Sequence, residues 1–355
     1  MIVTEILANA REMGCSDVHL TVGLPPMGRL NGSLIPFEGI ICENNAIKLV
    51  VDEILPARLI DKLKSDEDCD FSYLSPQGFR HRVNVYRQRG CYAVAIRLLN
   101  DSIPTLKQLA LPDILGKLSL MPRGLVLVTG PTGSGKSTTL AAMIDHINNQ
   151  RNSHVLIVED PIEYVHEHKK CMINQREIGT DVESFSLALR SSLREDPDVI
   201  LVGEMRDFET ISAAITAAET GHLVMSTLHT TDAASTIDRI IDVFPPHQQQ
   251  QIRAQLAGVL VGIISQQLVP RAGGKGRVAV LEILVATDAI ANMIRDNKVH
   301  QIPNAIQTGR SVGMQGRDFE LARLVREGVI EEHEALQRCS SPEDFKRFKS
   351  APISF

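Results

Sequence analysis

The spacing of apolar and polar residues divides the chain into two regions. From residue 125 onward, short apolar runs predict strands at 125–129, 155–158, 199–202, 223–227 and 278–284. Between them, apolar residues at helical spacing predict helices at 136–148, 208–219, 232–241 and 248–264. This alternation is typical of a mostly parallel sheet with helices packed around it. Beyond Thr287 the pattern predicts a mainly helical region, with breaks at Gly309, Gly313 and Gly328.

Residues 1–100 show a different pattern, which predicts a small α+β domain. An apolar face predicts a helix at 46–55, ended by Pro56, and the prolines and glycines at 25–32 indicate a hairpin. Basic and apolar residues alternate at 79–99, which predicts two antiparallel strands joined by a turn at Arg89 and Gly90. A proline-punctuated segment at 101–122 is expected to be a linker and hinge. The sequence thus predicts an α/β protein with domains at 1–100 and 123–355.

Composition narrows the class of protein. The chain has 355 residues, of which 43% are hydrophobic and 23% charged, as expected for a globular protein of two domains. A net charge of −6 and only 4% aromatic residues argue against a nucleic-acid partner. The six cysteines form no C-x-x-C pair, which makes a zinc ribbon improbable and fits reduced thiols in the cytoplasm. No apolar stretch approaches a membrane span and no signal layout is present, so a membrane role is expected to act through a partner.

A glycine-rich segment directly after the predicted strand at 125–129 matches the phosphate-binding pattern G-x-x-x-x-G-K-[ST]. Its residues are Gly130, Pro131, Thr132, Gly133, Ser134, Gly135, Lys136, Ser137 and Thr138. Glycines allow a tight turn that directs backbone N–H groups at a phosphate, and the following helix N-terminus favours an anion. Lys136 is predicted to reach the β- and γ-phosphates of a nucleoside triphosphate, and the Ser137 hydroxyl to hold Mg²⁺.

Carboxylates follow two further predicted strands, where they can reach the same phosphates. The strand at 155–158 precedes E-D-P-I-E, and Glu163 is the candidate base that polarises the attacking water, with Glu159 and Asp160 shaping the site. Taken alone, that segment is a weak signal, and a solvated acidic loop is the alternative interpretation. The strand at 199–202 precedes Glu204, where a carboxylate would hold Mg²⁺ through water.

Two histidines flank the predicted strand at 223–227. His229 lies at the strand end, where a donor can sense the γ-phosphate and shift the next helix. His222 lies at the strand start, where a structural hydrogen bond is an equally good explanation. The basic residues around Arg80, Arg82 and Arg97 leave three explanations open: a solvated face, phosphate contacts with nucleic acid, or arginine fingers supplied to a neighbouring subunit.

These motifs, in this order, resemble those of the PilT family of type IV pilus retraction ATPases, within the type II/IV secretion ATPase superfamily. Besides the phosphate loop, the matching segments are S-D-V-H-L at 16–20 with G-L-P-P at 23–26, R-H-R-V-N-V at 80–85, 159–166, 193–207, 221–230 with 237–245, and 300–315. The resemblance covers nearly the whole chain. The absence of C-x-x-C pairs separates it from the related zinc-bearing extension and secretion ATPases.

The resemblance implies a hexameric ring of subunits with a PAS-like N-terminal domain and a RecA-like C-terminal domain, and ATP between the two. By residue matching, Glu163 becomes the general base, Glu204 the Mg²⁺-associated carboxylate and His229 the phosphate sensor. The arginine contacts become Arg82 and Arg97, with Arg80. The resemblance also implies a cytoplasmic motor that is peripheral to the inner membrane, bound there to a platform protein of the pilus machine, and that powers twitching motility.

The chain departs from the family pattern at one position that bears on which member of the family it is. The family reads A-I-R-N-L-I-R-E where this chain reads A-I-A-N-M-I-R-D, so Ala291 replaces an arginine in a stretch implicated in retraction. Alternatives are therefore an accessory retraction paralogue, or a secretion ATPase of the same superfamily, acting as a regulatory partner. A RecA-like translocase on nucleic acid is a third alternative.

Overall fold

The structure is a computed structural model and describes residues 3–30, 32–38, 41–99, 102–274 and 276–350. The chain forms two compact units. The first comprises Met1–Ser102 together with Pro161–Tyr164, and the second comprises Ile103–Asp160 and Val165–Phe355.

The first unit contains three α-helices and six strands among its described residues. In chain order these are α1 (Val3–Glu12), β1 (Asp17–Leu20), β2 (Met27–Leu30), β3 (Ser33–Pro36), α2 (Asn44–Ile54), α3 (Ile60–Lys64), β4 (Cys69–Leu74), β5 (Arg80–Gln88) and β6 (Cys91–Leu98). The strands form one antiparallel sheet in the order β3-β2-β1-β6-β5-β4. The predicted helix and both hairpins are confirmed, whereas α1 was not predicted.

The hairpin of β5 and β6 shows why this region folds as it does. A two-residue turn joins Gln88 to its partner Cys91, and both turn residues have positive φ, 50° at Arg89 and 76° at Gly90. Positive φ at both positions is what a type I′ turn requires, and its twist matches that of the strands. Alternation along β5 buries Val83 and Val85 in the core and leaves Arg80 and Arg82 on the other face.

The second unit alternates strands and helices. Its elements are α4 (Ile114–Ser119), β7 (Gly124–Thr129), α5 (Lys136–Gln150), β8 (His154–Glu159), β9 (Met172–Glu177), α6 (Phe185–Ser192), β10 (Val199–Val202), α7 (Phe208–Glu219), β11 (Leu223–Leu228), α8 (Ala233–Asp242), α9 (Gln249–Val259), β12 (Leu260–Pro270), β13 (Arg277–Val285), α10 (Asp288–Arg295), α11 (Ile302–Thr308), α12 (Arg317–Arg326), α13 (Glu332–Leu336) and α14 (Pro342–Ser350).

A seven-stranded sheet in the order β13-β12-β7-β11-β10-β8-β9 forms the centre of this unit. All neighbouring strands are parallel except β12 and β13, so the predicted mostly parallel sheet is confirmed. Every residue of β7, β10 and β11 is buried, as expected for strands covered on both faces. The short apolar runs of the sequence are therefore the central strands.

Three features of this unit differ from the prediction. The helix predicted at 248–264 is wrong in its last five residues, because α9 ends at Val259 and Leu260–Pro270 forms strand β12. That segment hydrogen-bonds to β7 on one side and β13 on the other, and such pairing outweighs a helix-like spacing of apolar residues. Strand β9 was missed. The predicted linker contains α4, whose Leu115 and Leu118 pack in the same buried cluster as residues of α5.

Within the described part of the chain, none of the helices combines the length and the apolar character needed to cross a bilayer.

Candidate functional site

The carboxyl ends of four neighbouring strands meet at one edge of the second unit's sheet. In spatial order they belong to β7, β11, β10 and β8, which are parallel to one another. The chain continues from these ends into Gly130, His229, Gly203 and Asp160 respectively. Ligands of open α/β sheets bind outside the carboxyl ends of the strands, so this edge is the candidate site. The sheet order thus brings the phosphate loop, Glu204 and His229 to one edge.

The glycine-rich loop turns sharply between β7 and α5. Gly130, Gly133 and Gly135 have φ of 144°, 78° and 89°, and Gly135 is the left-handed residue that precedes α5. A β-carbon on Gly130 would lie 2.2 Å from the backbone oxygen of Gln266, so only glycine fits there. No side chain caps the N-terminus of α5, which leaves its first N–H groups directed at the space in front of the helix.

The polar groups of the loop are held close to its backbone. Lys136 is buried, and its Nζ donates to the carbonyl oxygens of Gly130 at 2.8 Å and Pro131 at 3.0 Å. The Ser134 hydroxyl is also buried and has no hydrogen-bond partner among the described residues. Ser137 lies half-buried in the first turn of α5. The loop therefore presents an ammonium group, hydroxyls and backbone N–H groups, the chemistry that binds a phosphate chain.

Sequence analysis missed one residue of this site, Gln266 on β12. Its side chain is 3% exposed and hydrogen-bonds both to the Ser134 carbonyl and to the Thr139 hydroxyl, each at 2.7 Å. It was missed because the helix predicted at 248–264 included the first residues of β12, so the strand that carries Gln266 was not predicted. The available signal was the polar run Ser265-Gln266-Gln267 between apolar residues, which is unusual for a central strand.

Glu204 and His229 lie side by side at the ends of β10 and β11. The Oε2 atom of Glu204 is 2.8 Å from Nε of Arg206 and 3.6 Å from Nε2 of His229. Thr227 supports this pairing, because its hydroxyl donates to the Gly203 carbonyl at 2.6 Å. A shift in the position of the Glu204 carboxylate would therefore directly change the electrostatic environment of the His229 imidazole.

His222 lies just before β11 and makes the structural hydrogen bonds that were one of the two explanations for it. Its Nδ1 lies 2.9 Å from the carbonyl oxygen of Ala217 and 3.3 Å from the Thr220 hydroxyl. Both contacts tie the ring to the end of α7, at the opposite end of the strand from His229. The structure therefore separates the two histidines and leaves His229 alone at the candidate site.

The arginines singled out in the sequence lie in the first unit, on the half-exposed face of its sheet. Arg82 and Arg97 are direct cross-strand partners. Arg82 Nε lies 3.2 Å from both carboxylate oxygens of Asp70, and Arg97 Nε lies 3.1 Å from Oδ1 of Asp17. Flanking carboxylates hold both guanidinium groups in place at the surface, where such pairs contribute little to stability.

Two other predicted site residues, Arg80 and Glu163, belong to the first unit as well. Nη2 of Arg80 donates to the Ser72 hydroxyl at 3.1 Å. Glu163 belongs to the short segment Pro161–Tyr164 that groups with this unit, and its side chain is half-buried. Ile162 and Tyr164 on either side of it are buried. The predicted site residues are thus divided, with the phosphate loop, Glu204 and His229 in the second unit and the others in the first.

Comparison with known proteins identifies the family to which the chain is similar. The sequence matches the family described as Type II/IV secretion system protein over residues 79–335. It is 48% identical to the type IV pilus retractation ATPase PilT of Pseudomonas aeruginosa, over 97% of this chain and 100% of the relative. It is 52% identical to a twitching motility protein of Neisseria gonorrhoeae, over 78% of this chain and 74% of the relative.

A solved structure of similar fold extends the comparison to three dimensions. A crystal structure of the pilus retraction motor PilT with bound ADP superposes with a TM-score of 0.91 at 45% sequence identity, covering 98% of this chain and 99% of that one. The α/β fold, with an antiparallel N-terminal sheet and a mixed, mainly parallel second sheet, is therefore PilT-like.

A phosphate loop at the carboxyl edge of a mainly parallel sheet, in this setting, defines a P-loop ATPase. Within that class the chain belongs to the family of type II/IV secretion system proteins, in its PilT branch of type IV pilus retraction ATPases, which act in twitching motility. The resemblance seen in the sequence motifs is thereby confirmed.

Proposed function

We propose that the chain is one subunit of a homohexameric ring, cytoplasmic and docked at the inner membrane on a platform protein, that retracts a pilus by closing its two domains around ATP. One observation carries the proposal. The phosphate loop, Glu204 and His229 follow neighbouring parallel strands at one sheet edge, in a chain that matches a retraction ATPase over 97% of its length. The proposed domains are a PAS-like domain at 1–100, a linker at 101–122 and a RecA-like domain at 123–355.

The loop of residues 130–138 would hold the phosphates of ATP. Its glycine φ angles and the uncapped start of α5 would supply N–H groups, and Lys136 would exchange its carbonyl partners for phosphate oxygens. Mg²⁺ would be held by the Ser137 hydroxyl and, through water, by Glu204. The donors suit this ion, which keeps several waters and binds one or two protein groups beside the phosphates.

Hydrolysis would use further charged side chains. Glu163 would accept the proton of the attacking water, and Arg82 and Arg97, with Arg80, would stabilise charge on the transferred phosphoryl group of a neighbouring subunit. His229 would report the γ-phosphate, because the 3.6 Å contact links its ring to Glu204, the carboxylate that would hold Mg²⁺ through water. Helix α8 begins at Ala233, just beyond His229, and would carry the signal onward.

The experiment that tests these roles is ATP turnover and ADP binding by the Glu163→Gln variant. Removing the base should lower turnover by a factor of about 100 to 10,000 while ADP affinity stays unchanged. Glu167→Gln is the matched control, because that exposed side chain lies only four positions further along the chain. Turnover close to that of the unmodified protein in the Glu163→Gln variant would remove Glu163 from the proposed role.

A second candidate, an accessory retraction paralogue, is favoured by Ala291. The residue is 9% exposed and packs in the buried cluster beside Ile290 and Ile294 of α10. An arginine there would have to extend its guanidinium out of that cluster, so the surface of α10 differs from the family pattern. Under this alternative the chain would regulate another motor, and cells lacking it would keep a normal number of pili.

A further inference from the structure

Strand β12 brings one side chain against the phosphate loop from the side opposite to β11. Ser265 of β12 pairs with Thr129, the last residue of β7, and their hydroxyls hydrogen-bond at 2.9 Å. Beyond this pair β7 ends and the loop begins, while β12 continues through Gln266 to Pro270. Gln266 is therefore the first residue of β12 that faces the loop rather than a strand partner in β7.

The side-chain amide of Gln266 connects two separate parts of the loop region. Its Nε2 donates to the carbonyl of Ser134, and its Oε1 accepts from the hydroxyl of Thr139, each at 2.7 Å. The orientation of the amide is fixed by this chemistry, because a carbonyl can only accept and so requires the NH₂ group. Both side chains are buried, at 3% exposed for Gln266 and 1% for Thr139, so neither bond competes with solvent.

Gln266 also touches the loop glycines. Its backbone oxygen lies 2.2 Å from where a β-carbon on Gly130 would stand, and its Nε2 lies 2.8 Å from the corresponding position on Gly135. One residue thus contacts the first glycine of the loop, the last glycine and the first turn of α5. These contacts leave the loop little freedom to change shape.

The bond to Ser134 has a consequence for phosphate binding. In a trans peptide the C=O and the following N–H point in opposite directions. Holding the Ser134 carbonyl against Gln266 therefore turns the N–H of Gly135 away from the Gln266 side chain. We propose that Gln266 is a positioning residue, whose amide holds the Ser134–Gly135 peptide so that the Gly135 N–H meets the terminal phosphates of a nucleoside di- or triphosphate. This inference rests on the proposed nucleotide binding.

The test is the affinity of the full-length Gln266→Leu variant for ADP and for AMP. Losing the amide frees the peptide to rotate, so ADP binding should weaken about tenfold to hundredfold. AMP lacks the phosphate that the loop would hold, so its affinity should change by less than about threefold. The matched control is Gln267→Leu, a half-buried neighbour on the same strand whose side chain points to the other face of the sheet. It should bind both nucleotides as the unmodified protein does.

A second variant keeps the test decisive if the leucine variant fails to fold. In Gln266→Glu the carboxylate still accepts from Thr139 but sets an acceptor against the Ser134 carbonyl, so ADP binding should weaken by a similar factor. Equal loss of ADP and AMP affinity, or unchanged ADP affinity in a folded variant, would overturn the positioning role while leaving the proposed function intact. Absence of ADP binding in the unmodified protein would refute the proposed function itself.

Discussion

Replacing Gly130 with alanine tests how tightly the phosphate loop is built against β12. The added β-carbon would stand 2.2 Å from the Gln266 backbone oxygen and 2.7 Å from the Ser134 hydroxyl oxygen. The carbonyl belongs to a central strand and cannot move freely, so the loop itself has to shift. Gly130 also has a φ of 144°, which L-residues rarely adopt at a cost of about 1–3 kcal/mol. Overpacking adds about 1–3 kcal/mol more.

The matched control is Gly221→Ala, which separates backbone strain from the steric clash. Gly221 has a φ of 110° but nothing lies within 4 Å of its added β-carbon. Both variants should therefore be destabilised, and Gly130→Ala should unfold about 3–10 °C below Gly221→Ala in thermal unfolding. Its ADP affinity should also fall at least tenfold, about 1.4 kcal/mol, since the displaced loop no longer matches the phosphates.

Two outcomes would contradict this prediction. If Gly130→Ala matches Gly221→Ala in both melting temperature and ADP affinity, the close approach of Gln266 to the loop does not exist in the folded protein. If stability falls but ADP affinity does not, the loop absorbs the clash without changing the conformation that meets the phosphates.

The other predictions concern pH. Burial lowers the pKa of His166 from 6.5 to about 4, with Asp145 partly opposing, so the unfolded chain takes up a proton that the folded protein does not. Acidification from about pH 7 to pH 5 should cost about 2 kcal/mol that the His166→Gln variant does not lose, and equal slopes in urea unfolding would contradict this. Burial also raises the pKa of Glu282, and the hydrogen bond from the Ala233 N–H and the charge of Arg317 oppose this rise only in part. The protein should therefore lose folding stability as pH rises through the pKa that Glu282 has in the folded state. Glu282→Gln retains an acceptor for the Ala233 N–H at 2.8 Å and should melt higher at neutral pH, and a lower melting temperature there would refute the argument.

The sequence was sufficient where short-range chemistry determines the structure. The phosphate loop is encoded by consecutive glycines between an apolar strand and a helix, and residues 199–202 and 208–219 form the predicted strand and helix to the residue. The sequence also predicted that Glu204 and His229 follow strands whose ends meet at one edge, and the structure brings the two side chains within 3.6 Å of each other. Local patterns and the rules of parallel sheets were enough for these features.

Long-range pairing explains what was missed. The apolar residues from Ile252 to Ile264 fit a helix as well as a strand, and only hydrogen bonding to β7 and β13 decides for the strand after Val259. Gln266 then contacts Ser134 across 132 positions of sequence, a distance at which no local pattern carries information. The short helix α4 was hidden between Pro112 and Pro122, which suggested an irregular linker.

The most direct test of the central claim is the number of surface pili on cells that lack the gene, compared with cells that carry the Glu163→Gln or the Glu167→Gln version. A retraction motor that needs hydrolysis predicts excess, non-retracting pili in the deletion and Glu163→Gln strains, and a normal number with Glu167→Gln. A normal number of pili in the deletion strain would contradict the account and would favour the accessory role suggested by Ala291.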